Sequence, residues 1–313
     1  MAKQKRQEAP SKGFGLSLMD RIQNEGSIHH EAVRRVESIT KRNLICYTAF
    51  LRHPASTIIQ EDSQFIEHLL RSVNLQEYPD TLDLLLHTPG GDPTAAERIV
   101  KTCRSYAKSF QVIVPQTAMS AGTLIAMGAE SILMTETSEL GPIDPQMIIS
   151  SGKEQTLRPA AAFVDAYMDL INKSQEAIRK GDPPHPYIEL LRRMDPTWIQ
   201  VCLKARELAR TIAGEFLEQY MLNGKDKKEI ERTVECFMKE GELLSHGRII
   251  RHAKAKEYGL NVKVIPKGTP LDEALWELQT RCENYVQSRS LAKYLVCRSG
   301  GINVSVRMQR LSV

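Results

Sequence analysis

A strand that runs into a glycine turn, then a helix, then a second strand that runs into a serine turn, constrains this chain more than any other feature. Leu82-Asp83-Leu84-Leu85-Leu86-His87 is short and rich in apolar residues, and it stops at Thr88-Pro89-Gly90-Gly91-Asp92-Pro93. A helical pattern runs from Thr94 to about Lys108. Gln111-Val112-Ile113-Val114-Pro115 is the next strand, a helix opens at Ser120, and Ser131-Ile132-Leu133-Met134 is a third strand. Strand, helix, strand, helix, strand at this spacing is a run of βαβ units, which predicts a parallel sheet with right-handed crossovers. In such a sheet the loops that carry chemistry lie at the strand C-termini. The turns at Gly90-Gly91 and at Ser120 both fall there.

The flanks have a different character. Residues 1 to about 15 are polar and basic, with Pro10 and Gly13, which predicts a solvated tail. Two helical patterns follow to about Arg42, and Leu44-Ile45-Cys46-Tyr47-Thr48-Ala49-Phe50 has the short apolar run of a buried strand. Helix resumes around Asp62, which can cap a turn carrying Phe65-Ile66 and Leu69-Leu70. From about Leu157 long helical patterns take over: Ala160 to Arg179, Pro186 to Arg193, Thr197 to Leu222 and Asp226 to Lys239. Lys180-Gly181-Asp182-Pro183-Pro184-His185-Pro186 breaks the first from the second. The stretch Arg251 to Leu260 is a short helix ended by Gly259, and the strand Asn261-Val262-Lys263-Val264-Ile265 follows. A helix from Leu271 to about Ser288 and a short apolar tail after Ser299-Gly300-Gly301 close the chain.

With 313 residues, 42% of them hydrophobic, the chain can bury a large core without staples. Its 42 basic and 38 acidic side chains are interspersed, so the net charge of +4 makes no case for nucleic acid. No stretch approaches the roughly 18 to 20 apolar residues of a membrane span. The basic start (Lys3, Lys5, Arg6) leads into polar residues instead of an apolar signal core, so the expected location is cytoplasmic. The six cysteines lack CxxC spacing and are expected as free, buried thiols of a reducing compartment. The eight histidines show no HExxH spacing, and there is no Rossmann or cofactor-lysine signature, so neither metal nor cofactor is expected.

Acyl transfer needs a nucleophile on a sharp turn, backbone N–H donors where the oxyanion forms, and an oriented base. Gly90-Gly91, lacking Cβ atoms, can turn tightly and let a carbonyl approach its N–H groups. Ser120 opens a helix at the end of the next strand, flanked by the small residues Ala118, Ala121 and Gly122. The N–H of Ala121 belongs to that helix N-terminus and points into the same cleft. Either feature alone is most often a turn or an N-cap. Their conjunction at the ends of adjacent parallel strands is what indicates chemistry.

The segments His87-Thr88-Pro89-Gly90-Gly91, Val114 to Ala126 around Ser120, and Leu140-Gly141-Pro142-Ile143-Asp144-Pro145-Gln146 resemble the serine dehydrogenase proteinase family. That family is distantly related to the Clp proteases and signal peptide peptidases. Ala255 to Val262 also resembles the late helix-turn of the superfamily, and the likeness covers about 80 to 265. It implies an α/β fold: a Clp/crotonase-type spiral of ββα units with a parallel sheet, a helical insert, and helical N- and C-terminal extensions. The corresponding division is a basic tail with N-terminal helices (1–42), a core (43–156), a helical insert for oligomerisation (157–240), the end of the core (241–270) and a C-terminal extension (271–313).

By resemblance, Ser120 is the nucleophile of a serine peptidase, with an oxyanion hole built at Gly90, Gly91 and Ala121. The family's triad maps Asp144 and His246 onto this chain, with His246 as base and Asp144 holding the imidazole. Two other readings of these residues stay open: Asp144 as a turn-stabilising carboxylate and His246 as an ordinary loop histidine. A Ser-Lys dyad would instead use Lys153 or Lys173. His87, beside the glycine turn, is a candidate for substrate contact. The expected partners are a peptide or protein substrate and further copies of the chain, as trimer or hexamer, and activity is either ATP-independent or dependent on a partner. The alternatives are a crotonase-like acyl-CoA enzyme and a catalytically silent scaffold.

Overall fold

In the computed structural model the described residues are 28–53, 55–151, 154–243 and 249–305. Helix α1 (28–40) turns at Lys41, which has φ 55°, into strand β1 (Asn43–Ala49), every residue of which is buried. Then come α2 (Asp62–Ser72), β2 (Thr81–His87), α3 (Pro93–Tyr106), β3 (Ser109–Val114), the two-residue β4 (Thr117–Ala118), α4 (Ala121–Met127) and β5 (Ser131–Met134). A short β6 (Glu139–Leu140) and a hairpin, β7 (Gln146–Ser151) with β8 (Glu154–Pro159), lead into the helices α5 (Ala160–Lys180), α6 (His185–Arg192), α7 (Pro196–Phe216) and α8 (Lys227–Leu243). The chain returns through β9 (Ile250–Arg251), α9 (His252–Glu257), β10 (Val262–Val264), α10 (Pro270–Ser288), β11 (Lys293–Cys297) and β12 (Gly300–Val304).

The strands are apolar at nearly every position because the sheet is covered on both faces. Its order is β10-β5-β3-β2-β1-β11-β12, and the first five strands are mutually parallel. Leu82, Leu84 and Leu86 of β2 pack into one core with Ile99 of α3 and Leu124 of α4. Leu85, between them, belongs to the opposite core with Val33 of α1 and Leu278 of α10. The fold is therefore mixed α/β with a largely parallel central sheet, as the βαβ spacing predicts. The stretch after α10, where the sequence predicts only a short apolar tail beyond Ser299-Gly300-Gly301, holds the hairpin β11–β12, with β11 antiparallel to β1. It escaped sequence reading because its first residue is Lys293, a fully buried lysine that interrupts the apolar pattern.

The helical block is rooted in the core. Ile212, Ala213 and Phe216 at the end of α7 join the same cluster as Leu124, as do Ile230, Val234 and Phe237 of α8. Where α5 and the start of α7 meet, a small separate cluster forms around Ala160, Val164 and Cys202. Among the described residues no helix is long and apolar enough to cross a membrane.

Candidate active site

Two strand ends are tied together by backbone bonds. The Thr88 N–H donates to the Thr117 carbonyl (3.0 Å), and the Met119 N–H donates back to the Thr88 carbonyl (3.1 Å). The glycine turn is thereby laid against the turn at Ser120. Gly90 has φ +98°, and a Cβ there would lie 2.7 Å from the Ser120 Cβ and 2.6 Å from the Met119 carbonyl oxygen. Only glycine meets both demands. The N–H of Gly90 donates to the Thr88 hydroxyl at 3.2 Å, so it is committed within the turn. Ile58 bridges to Gly91 by donating to the Gly90 carbonyl (2.8 Å) and accepting from the Asp92 N–H (3.0 Å), a pattern that leaves the Gly91 N–H outside the bridge. Asp92 then caps α3, accepting from the Thr94 N–H at 2.8 Å, with Pro93 at the first helical position.

Ser120 has φ 50° and ψ −113°, a conformation that a residue with a Cβ adopts at a cost of about 1–3 kcal/mol. Although it stands at the N-cap of α4, its hydroxyl makes no capping bond. Ala121 begins the helix, so its N–H has no intrahelical acceptor. The elbow is held from beneath by Thr123, whose hydroxyl bonds the Ala118 carbonyl (3.0 Å) and the Gly141 carbonyl and N–H (2.9 and 3.1 Å). A small sheet, β4-β6-β9, fixes the same arrangement, since β4 precedes Ser120 and β6 precedes Gly141. Gly91, Ser120, Ala121, Leu124, Pro145 and Ala209 line a slot of about 100 Å³. Its Ala209 comes from α7, so the helical block forms one wall.

Just beyond Gly141, Asp144 is fully buried, and Arg206 of α7 donates from Nε to its Oδ1 at 3.0 Å. Its Oδ2 has no hydrogen-bond partner among the described residues. Burial pushes the Asp144 carboxyl up to about 6, against the opposing pull of the Arg206 guanidinium.

Residues 21–267 match the family model of the ClpP-like SDH-type serine proteinases. The chain belongs to that family. It is 32% identical over 174 residues to the uncharacterized protein MJ1495 of Methanocaldococcus jannaschii, a match covering 54% of this chain. A second relative from the same organism, the uncharacterized protein MJ0137, is 45% identical over 87 residues, 28% of this chain. The chain spans about half the length of the first relative (56%) and under a third of the second (29%).

The turns that hold Ser120, Gly90, Gly91 and Ala121 adjoin, and Asp144 follows the Gly141 segment packed on them. His246 and Lys153 lie outside the described residues. Lys173 sits on an exposed face of α5, paired with Asp169 at 2.8 Å, and is not among the residues lining the slot. His87 does not face the slot either. It projects with Leu85 to the α10 side of the sheet, where its Nε2 is 3.3 Å from Glu283 Oε1. Thr88, Thr123 and Arg206 were not singled out from the sequence. Thr88 and Thr123 lie within the segments that carry the family resemblance, but a threonine that braces a turn has the same local pattern as any other. Arg206 gave no signal, being one of many helix arginines until folding sets it against Asp144.

Proposed function

We propose that this chain is a peptidase in which Ser120 forms an acyl-enzyme with its substrate. The observation that carries the reading is the strained Ser120 elbow, its hydroxyl uncommitted to capping, pressed against a turn that only glycine can make. Oγ adds to the scissile carbonyl carbon, and the N–H groups of Gly91 and Ala121 receive the oxyanion. Gly90 contributes shape rather than a donor. His246 takes the Oγ proton and passes it to the leaving amine, and water then hydrolyses the ester by the same route in reverse. Asp144, held on one oxygen by Arg206, offers the other to the imidazole; Lys153 is the alternative base. The slot is walled by α7, so peptide access and the helical block are linked, and association of several copies through that block completes the reading.

The test is labelling with a fluorophosphonate probe together with a peptide turnover assay. Wild type is expected to be labelled and Ser120→Ala to be unlabelled, with turnover reduced on the order of 10⁴-fold. Equal labelling of the two proteins would remove Ser120 from the mechanism. His246→Ala should lower turnover nearly as far, and combined with Ser120→Ala it should add little, because residues acting as a unit are not additive. Full activity in His246→Ala with loss in Lys153→Ala would assign the base to the lysine.

A further inference from the structure

Behind β2, on the face of the sheet away from Ser120, a second cavity of about 390 Å³ opens between the ends of β1, β2 and β4 and helix α10. Its size falls in the range usual for small-ligand sites, about 300–1,000 Å³. One wall is apolar, made by Phe50, Leu51 and Val286, and the rest carries Arg52, His87 and Glu283.

The polar groups there are incompletely matched. Glu283 Oε1 accepts from Gln279 Nε2 at 2.9 Å and faces His87 Nε2 at 3.3 Å, while its Oε2 has no partner among the described residues. Burial holds the His87 imidazole below its ordinary value, and the nearby Glu283 carboxylate only partly offsets this. His87 is 4% exposed, and its Nδ1 has no hydrogen-bond partner among the described residues. Buried polar atoms are nearly always paired, so an unpartnered imidazole nitrogen on a residue that lines the cavity is unusual. At the mouth, Arg52 is exposed and makes no ion pair among the described residues. The cavity thus presents a free guanidinium, a carboxylate oxygen with capacity to spare, and an aliphatic and aromatic wall.

We propose that this cavity binds a small zwitterion, an α-amino acid or dipeptide with an aliphatic side chain. Its carboxylate pairs with Arg52, its ammonium group with Glu283, and its side chain lies on Phe50, Leu51 and Val286. The inference does not depend on the chemistry at Ser120, because it is read from binding alone.

Calorimetric titration of the full chain with leucine, N-acetylleucine and leucinamide tests it, with Ala-Leu titrated into Ser120→Ala to avoid turnover. Leucine or Ala-Leu should bind, each capped form at least about tenfold more weakly than leucine, or, if only the dipeptide fits, N-acetyl-Ala-Leu and Ala-leucinamide more weakly than Ala-Leu. Whichever zwitterion binds identifies the source. Arg52→Ala should weaken that ligand about tenfold and abolish its advantage over the amide, and Glu283→Gln should abolish its advantage over the acetylated form. Glu283 also holds Gln279 and His87, so a fold change in that variant would leave the decision to the exposed Arg52. Absence of binding by both zwitterions at millimolar concentration, equal binding of capped and uncapped forms, or unchanged affinity in Arg52→Ala would overturn the proposal.

Discussion

Ser120 holds a backbone conformation that its own side chain opposes, and nothing in its capping role rewards it. Strain of this kind persists where surrounding structure over-determines it, here the Thr88–Thr117 and Met119–Thr88 bonds and the Thr123 brace. Replacing Ser120 with glycine should therefore stabilise the fold, by about 1 kcal/mol after the entropy of glycine is counted, while abolishing probe labelling. Urea denaturation of the variant checks the sign. Asp144 makes a second residue-level prediction. Its folded value of about 6 lies above the ordinary 3.8, so the folded state binds the proton more tightly than the unfolded chain. Below about 3.8 both states are protonated and the carboxyl costs nothing. Between there and about 6 ionisation occurs first in the unfolded chain, and stability falls as pH rises. The stability of wild type relative to Asp144→Asn is accordingly expected to decline from pH 4 to pH 6 and then level off. A relative stability that climbs over that window would mean that Arg206, and not burial, controls the group.

The helical block shows how one element serves two environments. The C-terminal half of α7 is core, with Ile212, Ala213 and Phe216 buried, whereas Val201 and Leu208, two turns apart, are 41% and 39% exposed. Met168 and Ile178 on α5 and Leu190 on α6 are exposed as well. A helix that keeps apolar residues in water over several turns is a usual sign of an association surface. Val201→Glu with Leu208→Glu is expected to shift the chain to a smaller species in multi-angle light scattering while sparing its melting temperature, since neither residue supports the core. An unchanged mass would show that this face is not an association surface.

Across the whole molecule, the C-terminal hairpin and the start of α2 are joined by one buried ion pair. Lys293 Nζ donates to both carboxylate oxygens of Asp62, at 2.8 and 2.7 Å, and Tyr47 donates to the same carboxylate at 2.8 Å. Both charged side chains are wholly inaccessible. Such a pair adds little over apolar residues of equal volume, but removing one member strands the other. Lys293→Met should therefore cost about 3–5 kcal/mol, read as a shift in the denaturant midpoint. A loss below about 1 kcal/mol would show that Asp62 is satisfied without the lysine.

The sequence alone determined the parallel core and the two turns, because short apolar runs, a glycine pair at a strand end and a serine at a strand-to-helix elbow are local signals. Leu82 to His87, Gly90-Gly91 and Ser120 carry those signals in their immediate neighbours. Asp62 was placed correctly at a helix start, yet its carboxylate is spent on Tyr47 and Lys293, not on a simple cap. Tertiary structure decided every long-range pairing: Arg206 with Asp144 across 62 positions, Lys293 with Asp62 across 231, and Glu283 with His87. It also decided that His87 faces away from Ser120, since a strand alternates its side chains and only the packing of α10 and α4 says which face is which. A charge's partner is fixed by where burial forces the two together, and that is a property of the folded interior.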